Sequence, residues 1–97
     1  MLKVTISHFA EHDLQEIINY YDQINPDISD GLLQDVDDCL NRIEDLPEGY
    51  QKRHKEIHIA FLKHFSFGIF YKIYPNEISV VAILHTSQDM TKWLEGR

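Results

Sequence analysis

Basic side chains are scarce in the first half of this sequence. In residues 1–50 only Lys3 and Arg42 stand against twelve acids, whereas residues 51–97 hold seven bases against four acids, and the formal net charge is −7. A chain of that sign has no general attraction to a nucleic-acid backbone, so we expect no direct nucleic-acid binding. Cysteine is nearly missing: Cys39 stands alone and closes no internal disulfide. There is no basic-then-apolar leader and no apolar run of membrane-spanning length. These absences give the expectation of a reduced, cytoplasmic protein without a membrane partner. Internal repeats and low-complexity segments are also lacking, and 97 residues suit one domain, 1–97, with one core.

What is present is a strong period of two near the C-terminus. Phe65, Phe67, Ile69, Tyr71 and Ile73 alternate with Ser66, Gly68, Phe70, Lys72 and Tyr74, which predicts a strand with one apolar face. Pro75-Asn76 turns the chain. Ile78, Val80, Ala82 and Leu84 then alternate with Ser79, Val81 and Ile83, so the return strand is apolar on both faces and belongs inside a sheet. Two strands bury too little apolar area to stand alone, so the preceding residues must supply cover.

Leu2, Val4 and Ile6 alternate with Lys3, Thr5 and Ser7, a short strand. Ser7 suits an N-cap, and Leu14, Ile17, Ile18, Tyr21 and Ile24 recur at helical spacing, predicting a helix over about 8–24. Asn25-Pro26 is a second start signal. Ile28, Leu32, Val36, Cys39, Leu40 and Ile43 mark one face of a helix over 26–45, which Leu46-Pro47 ends. So short a connection predicts an antiparallel helix pair covering one sheet face. Residues 47–53 read as a polar connection, and 57–62 as a further strand with a tight reversal near Lys63. Thr86 and Ser87 suit capping of a short C-terminal helix over about 89–95. The expected fold is α+β: a two-helix antiparallel hairpin on a mostly antiparallel four-stranded sheet, in the order β-α-α-β-β-β, with a short C-terminal helix. Phe67, Ile69, Tyr71, Val80 and Ala82 should be buried with Leu14, Ile17, Val36 and Leu40.

Several of these residues, in this order, carry a resemblance. Val4-x-Ile6-Ser7 is followed by Ala10-x-x-Asp13-Leu14-x-x-Ile17 and Tyr20-Tyr21, then by Leu40-x-x-Ile43 before Pro47. Phe65-x-Phe67-x-Ile69-x-Tyr71-x-Ile73 comes next, and Ile83-x-His85 with Trp93 eight residues on. Over nearly its whole length the pattern resembles the ParE/RelE superfamily of toxins from type II toxin-antitoxin modules, and its ParE-like branch more closely. The resemblance implies a toxin linked to plasmid stabilisation, neutralised by a cognate antitoxin and needing no cofactor. In the RNA-cleaving branch the central strand carries an arginine that meets the scissile phosphate; the corresponding place here is Gly68, which stabilises no phosphorane charge. Gln88, Met90 and Ser66 stand where relatives often carry arginine, proline and proline. The expected function is therefore a non-nucleolytic toxin that binds DNA gyrase. A ribosome-dependent mRNA endonuclease, or an inactive homologue that only binds antitoxin, are the alternatives.

The chemistry-bearing candidates are few. Histidine is the usual general acid or base, so His85 is the one weak catalytic candidate, against the plainer reading of a strand-end histidine in a structural hydrogen bond. His85, Ser87 and Asp89 have the residue types of a hydrolase triad but stand too close in sequence to converge. His54 and His58 lack a third ligand, so no metal is expected. For partner binding the expectation falls on Lys52, Arg53, Lys55, Lys63 and His64, a basic cluster, with Gln88 and Trp93.

Overall fold

The alternating stretch Lys3–Ile6 forms β1, and Ser7 ends it by capping helix α1 (His8–Asp22), its hydroxyl accepting the Ala10 N–H at 3.3 Å. Helix α2 (Pro26–Asp45) begins as the Asn25-Pro26 signal dictates, the Asn25 side chain accepting the Asp27 N–H at 2.9 Å. A 3-10 turn, Pro47–Gly49, then leads into β2 (Lys52–His54), β3 (Ile57–Phe61), β4 (Phe67–Ile73), β5 (Glu77–His85) and a short α3 (Met90–Leu94). This computed structural model describes residues 2–97.

The sheet order is β1-β5-β4-β3-β2, with β1 parallel to β5 and the other pairs antiparallel. Among the described residues it has five strands, one more than expected. The additional strand, β2, lies within and just beyond the stretch read as a polar connection. Its three residues carry no apolar alternation and are recruited by the open edge of β3, through the pairs Lys52 with His58 and His54 with Ile57. A short, charged edge strand of this kind also discourages further pairing.

Both long helices cover one face. Ala10 of α1 and Leu32, Val36, Cys39 and Ile43 of α2 join Ala60, Phe67, Ile69, Tyr71, Ile78, Val80 and Ile83 in one buried cluster. Ile57, Ile59, Phe70, Val81, Ala82 and Leu84 form a second cluster on the opposite face, closed by Leu94 and Met90. Ala82 therefore lies across the sheet from the expected face. The cause is a bulge. Phe70 pairs with Ala82 but Tyr71 with Val80, so Val81 is an extra residue and the alternation of β5 changes phase there. Val36 is buried as expected, while Leu14, Ile17 and Leu40 are only half-buried at the rim.

Two acids on the inner faces of the helices pin irregular chain. Asp35, 2% exposed, accepts the backbone N–H groups of Lys63, His64 and Phe65 at 3.2, 2.8 and 3.1 Å. The expected tight reversal at Lys63 is instead a loop held from α2, and β4 starts two residues later than the alternation suggests. Asp13 accepts the Ile83 N–H at 3.1 Å, just past the end of β1, and pairs with Arg97 at 2.5 Å. At the helix hairpin Ser29 donates to Asp22 at 2.5 Å. Helix α1 stops at Asp22, leaving Ile24 exposed.

Candidate functional site

A concavity that joins several elements lies between α1 and the turn that follows β5. One stripe of α1, Asp13, Glu16, Ile17, Tyr20 and Tyr21, forms a wall at helical spacing. The end of β5 with His85, the following Gln88 and Trp93 of α3 complete a cleft of about 410 Å³. Tyr20 and Trp93 are 61% and 46% exposed, so two large aromatic rings are left facing solvent. Cover for the last strand comes from Leu94, 3% exposed, one position on.

His85 and Gln88 are held by the turn itself. The Gln88 side chain accepts the His85 N–H at 2.8 Å, and its own N–H returns to the His85 carbonyl at 3.0 Å. The Nδ1 of His85 takes the Ser87 N–H at 3.1 Å and lies 2.7 Å from the Ser87 hydroxyl, with the ring edge-on to Phe67. An Nδ1 that accepts a main-chain N–H leaves the neutral ring's proton on Nε2. Asp89 does not join them. Its carboxylate caps α3 through the Lys92 N–H at 3.4 Å, the role expected of Thr86 or Ser87. The three residue types of a hydrolase triad are thus not convergent, and His85 sits in a local structural pair.

The basic candidates divide between the two ends of β3. Lys52, Arg53 and Lys55 lie on β2 and its turn, where Lys55 adopts a left-handed φ of 53°. Lys63 and His64 lie on the loop that Asp35 holds, with exposed side chains. Lys52 pairs with Glu56 at 3.0 Å, and the Arg53 guanidinium stands 5.9 Å from the Phe61 ring. Arg53 and Gln88 line a second, smaller cleft beside α3, so Gln88 borders both.

His54 and His58 fall on different strands. His58 is buried, stacked on Tyr71, with its Nδ1 2.9 Å from the Tyr50 carbonyl. Among the described residues no group of three or more His, Cys, Asp or Glu side chains is placed to hold a metal ion. Burial pushes the Cys39 thiol up to about 11, and raises the Tyr71 hydroxyl further still. Neither is a nucleophile at neutral pH.

Gly68 is on β4, facing α3. A Cβ built there would come within 2.8 Å of Ile59 Cδ1 and 3.1 Å of its Cγ1. Ile59 is itself 2% exposed, so the space a longer residue would need is already filled.

The sequence matches, over residues 4–90, the family model of the ParE toxin of type II toxin-antitoxin systems, parDE. No curated protein matches it. A solved structure titled as the chromosomal ParDE TA system from P. aeruginosa shares the fold, with a TM-score of 0.79 and 18% sequence identity over 90% of this chain and 98% of that one. Among the described residues no helix is long and apolar enough to cross a membrane.

Proposed function

The chain belongs to the ParE toxin family of type II toxin-antitoxin systems, and from that premise we propose that it is a non-nucleolytic toxin which acts by occupying DNA gyrase and is neutralised by a cognate antitoxin. The observation that carries the non-nucleolytic reading is position 68. RNA-cleaving toxins of this shape need a cation at the scissile phosphate, and here the place is a glycine whose side-chain space Ile59 fills. The nearest sequence candidate for proton transfer, His85, has its Nδ1 taken up by Ser87, and the −7 net charge opposes docking on ribosomal RNA.

Antitoxin binding is supported by surface chemistry. A segment that folds onto a partner gains affinity from apolar burial, and charge complementarity sets its orientation and association rate. The antitoxin places acidic residues near Lys52, Arg53, Lys55, Lys63 and His64, contacts Gln88 and Trp93, and turns basic residues toward the acidic helices. The test is supercoiling of relaxed plasmid by the host's gyrase with increasing purified protein. Activity should fall as the protein approaches the gyrase concentration and return on adding antitoxin. Unchanged gyrase together with cleavage of ribosome-bound mRNA, lost on His85→Ala or Arg53→Ala, would identify the endonuclease instead.

A further inference from the structure

The cleft between α1 and α3 is selective in its chemistry. Tyr20 and Trp93 present exposed rings from two different helices, and Ile17, Phe67 and Ile83 supply apolar lining. Glu16 stands one turn before Tyr20 on the same wall, its side chain 71% exposed. Its one ion-pair neighbour among the described residues is His12 at 3.7 Å, which carries charge only when protonated. Asp13, the other acid in the lining, is consumed by Arg97 and the Ile83 N–H.

This inventory discriminates between occupants. An acidic side chain would meet Glu16 and find no lysine or arginine in the lining. A wholly apolar one would cover the lining but leave the Glu16 carboxylate unpaired beside it. A cation on an aliphatic stem satisfies all three features at once: its charge meets the carboxylate and the negative faces of the rings, and its stem covers the apolar lining. We propose that the cleft seats a lysine or arginine side chain of the antitoxin, the cationic head held by Glu16, Tyr20 and Trp93. This rests on the reading that an antitoxin holds the chain, and it assigns the acidic helical half a definite contact.

Trp93 is the sole tryptophan, so its fluorescence reports directly on the cleft. The experiment titrates the full-length chain with its cognate antitoxin, any tryptophan of the antitoxin being replaced by phenylalanine. Trp93 emission should move to the blue and become protected from acrylamide. Glu16→Gln and Tyr20→Leu should each weaken binding about tenfold, mainly through faster dissociation, while Glu11→Gln leaves it unchanged. Exchanging each antitoxin Lys or Arg for Gln, in double-mutant cycles with Glu16→Gln, should reveal one coupled position. Circular dichroism verifies that each variant folds. Tight binding with no protection of Trp93, or with no antitoxin cation coupled to Glu16, overturns the inference and leaves antitoxin neutralisation standing. A blue shift that grows with toxin concentration alone assigns the cleft to a second copy and overturns it too. Absence of any antitoxin binding by folded protein overturns both.

Discussion

Replacing Asp35 by asparagine tests how this fold holds its longest strand-to-strand loop. The carboxylate is buried on α2, and both oxygens are used: one accepts the Lys63 N–H, the other the N–H groups of His64 and Phe65. An amide keeps a single acceptor oxygen. If that oxygen stays on Lys63, the amide NH₂ points at two donors, which lose their partner and face a like dipole. Hydrogen bonds to a charged acceptor contribute about 1.5–3 kcal/mol each, and the loop recovers part of the loss by opening to water. The expected destabilisation is about 3 kcal/mol. For a chain of this size that lowers the melting temperature by about 12–24 °C. Urea unfolding followed by Trp93 emission measures it, with the exposed Asp37→Asn as the control, expected within about 0.5 kcal/mol of wild type. A loss below about 1 kcal/mol for Asp35→Asn would mean that the loop is held by its own packing and that the three bonds are incidental.

Stability should fall in alkali through Cys39. Burial raises its thiol from the ordinary 9.0 to about 11, opposed by Arg42 and assisted by Asp35, so the unfolded chain loses this proton first and the fold loses about 2–3 kcal/mol between pH 9 and 11. Urea midpoints across that range check it; Cys39→Ala should flatten the fall in part, since the raised Tyr71 hydroxyl acts in the same direction above pH 10. The second expectation concerns steering. Lys52→Glu with Arg53→Glu should slow antitoxin association and flatten its salt dependence, whereas Trp93→Ala should mainly speed dissociation. Stopped-flow rates at several salt concentrations decide between them, and an association rate indifferent to the double reversal removes the basic half as the steering surface.

The helix hairpin was legible because its signals are local. Ser7, Asn25-Pro26 and the apolar stripe from Leu32 to Ile43 each act within a few residues, and the structure follows them to within two positions. β5 was legible as a strand but not in its phase. A bulge at Val81 is set by the partner strand and by the Asp13 carboxylate waiting at the Ile83 N–H, and neither is visible in an alternation. β2 escaped for the complementary reason: a three-residue charged strand owes its existence to the open edge beside it and hardly at all to its own composition. For the site, Asp13 and Asp35 did leave a signal. Each acid falls within an apolar stripe, at three- and four-residue spacing from Ala10 and Ile17 or from Leu32 and Cys39, where a solvated charge is out of place. Glu16 and Tyr20 left none, because an outward acid and an outward ring on a helix become a binding wall only when α3 brings Trp93 opposite them.

The fold also changes what the charge count means. Among the twelve acids of the first half, Asp13, Asp22 and Asp35 are turned to internal hydrogen bonds, and on the basic side Arg97 is spent on Asp13 and Arg42 on the Phe61 carbonyl. The Asp13–Arg97 pair offsets one charge of each sign, while hydrogen bonds to neutral groups leave the charges of Asp22 and Arg42 in place. The outer helix faces remain acidic, and β2 with the β3–β4 loop remains basic. A partner that covers both must carry two signs in a fixed order along its chain, so electrostatics selects its direction as well as its identity. Docked in reverse, its acids would meet Glu16 and its bases Arg53, each desolvated against a like charge, at a cost of several kcal/mol. A uniformly charged surface has no such preference between the two directions, so in this chain the unequal division of charge between the halves supplies orientation where the net charge of −7 would supply only repulsion or attraction.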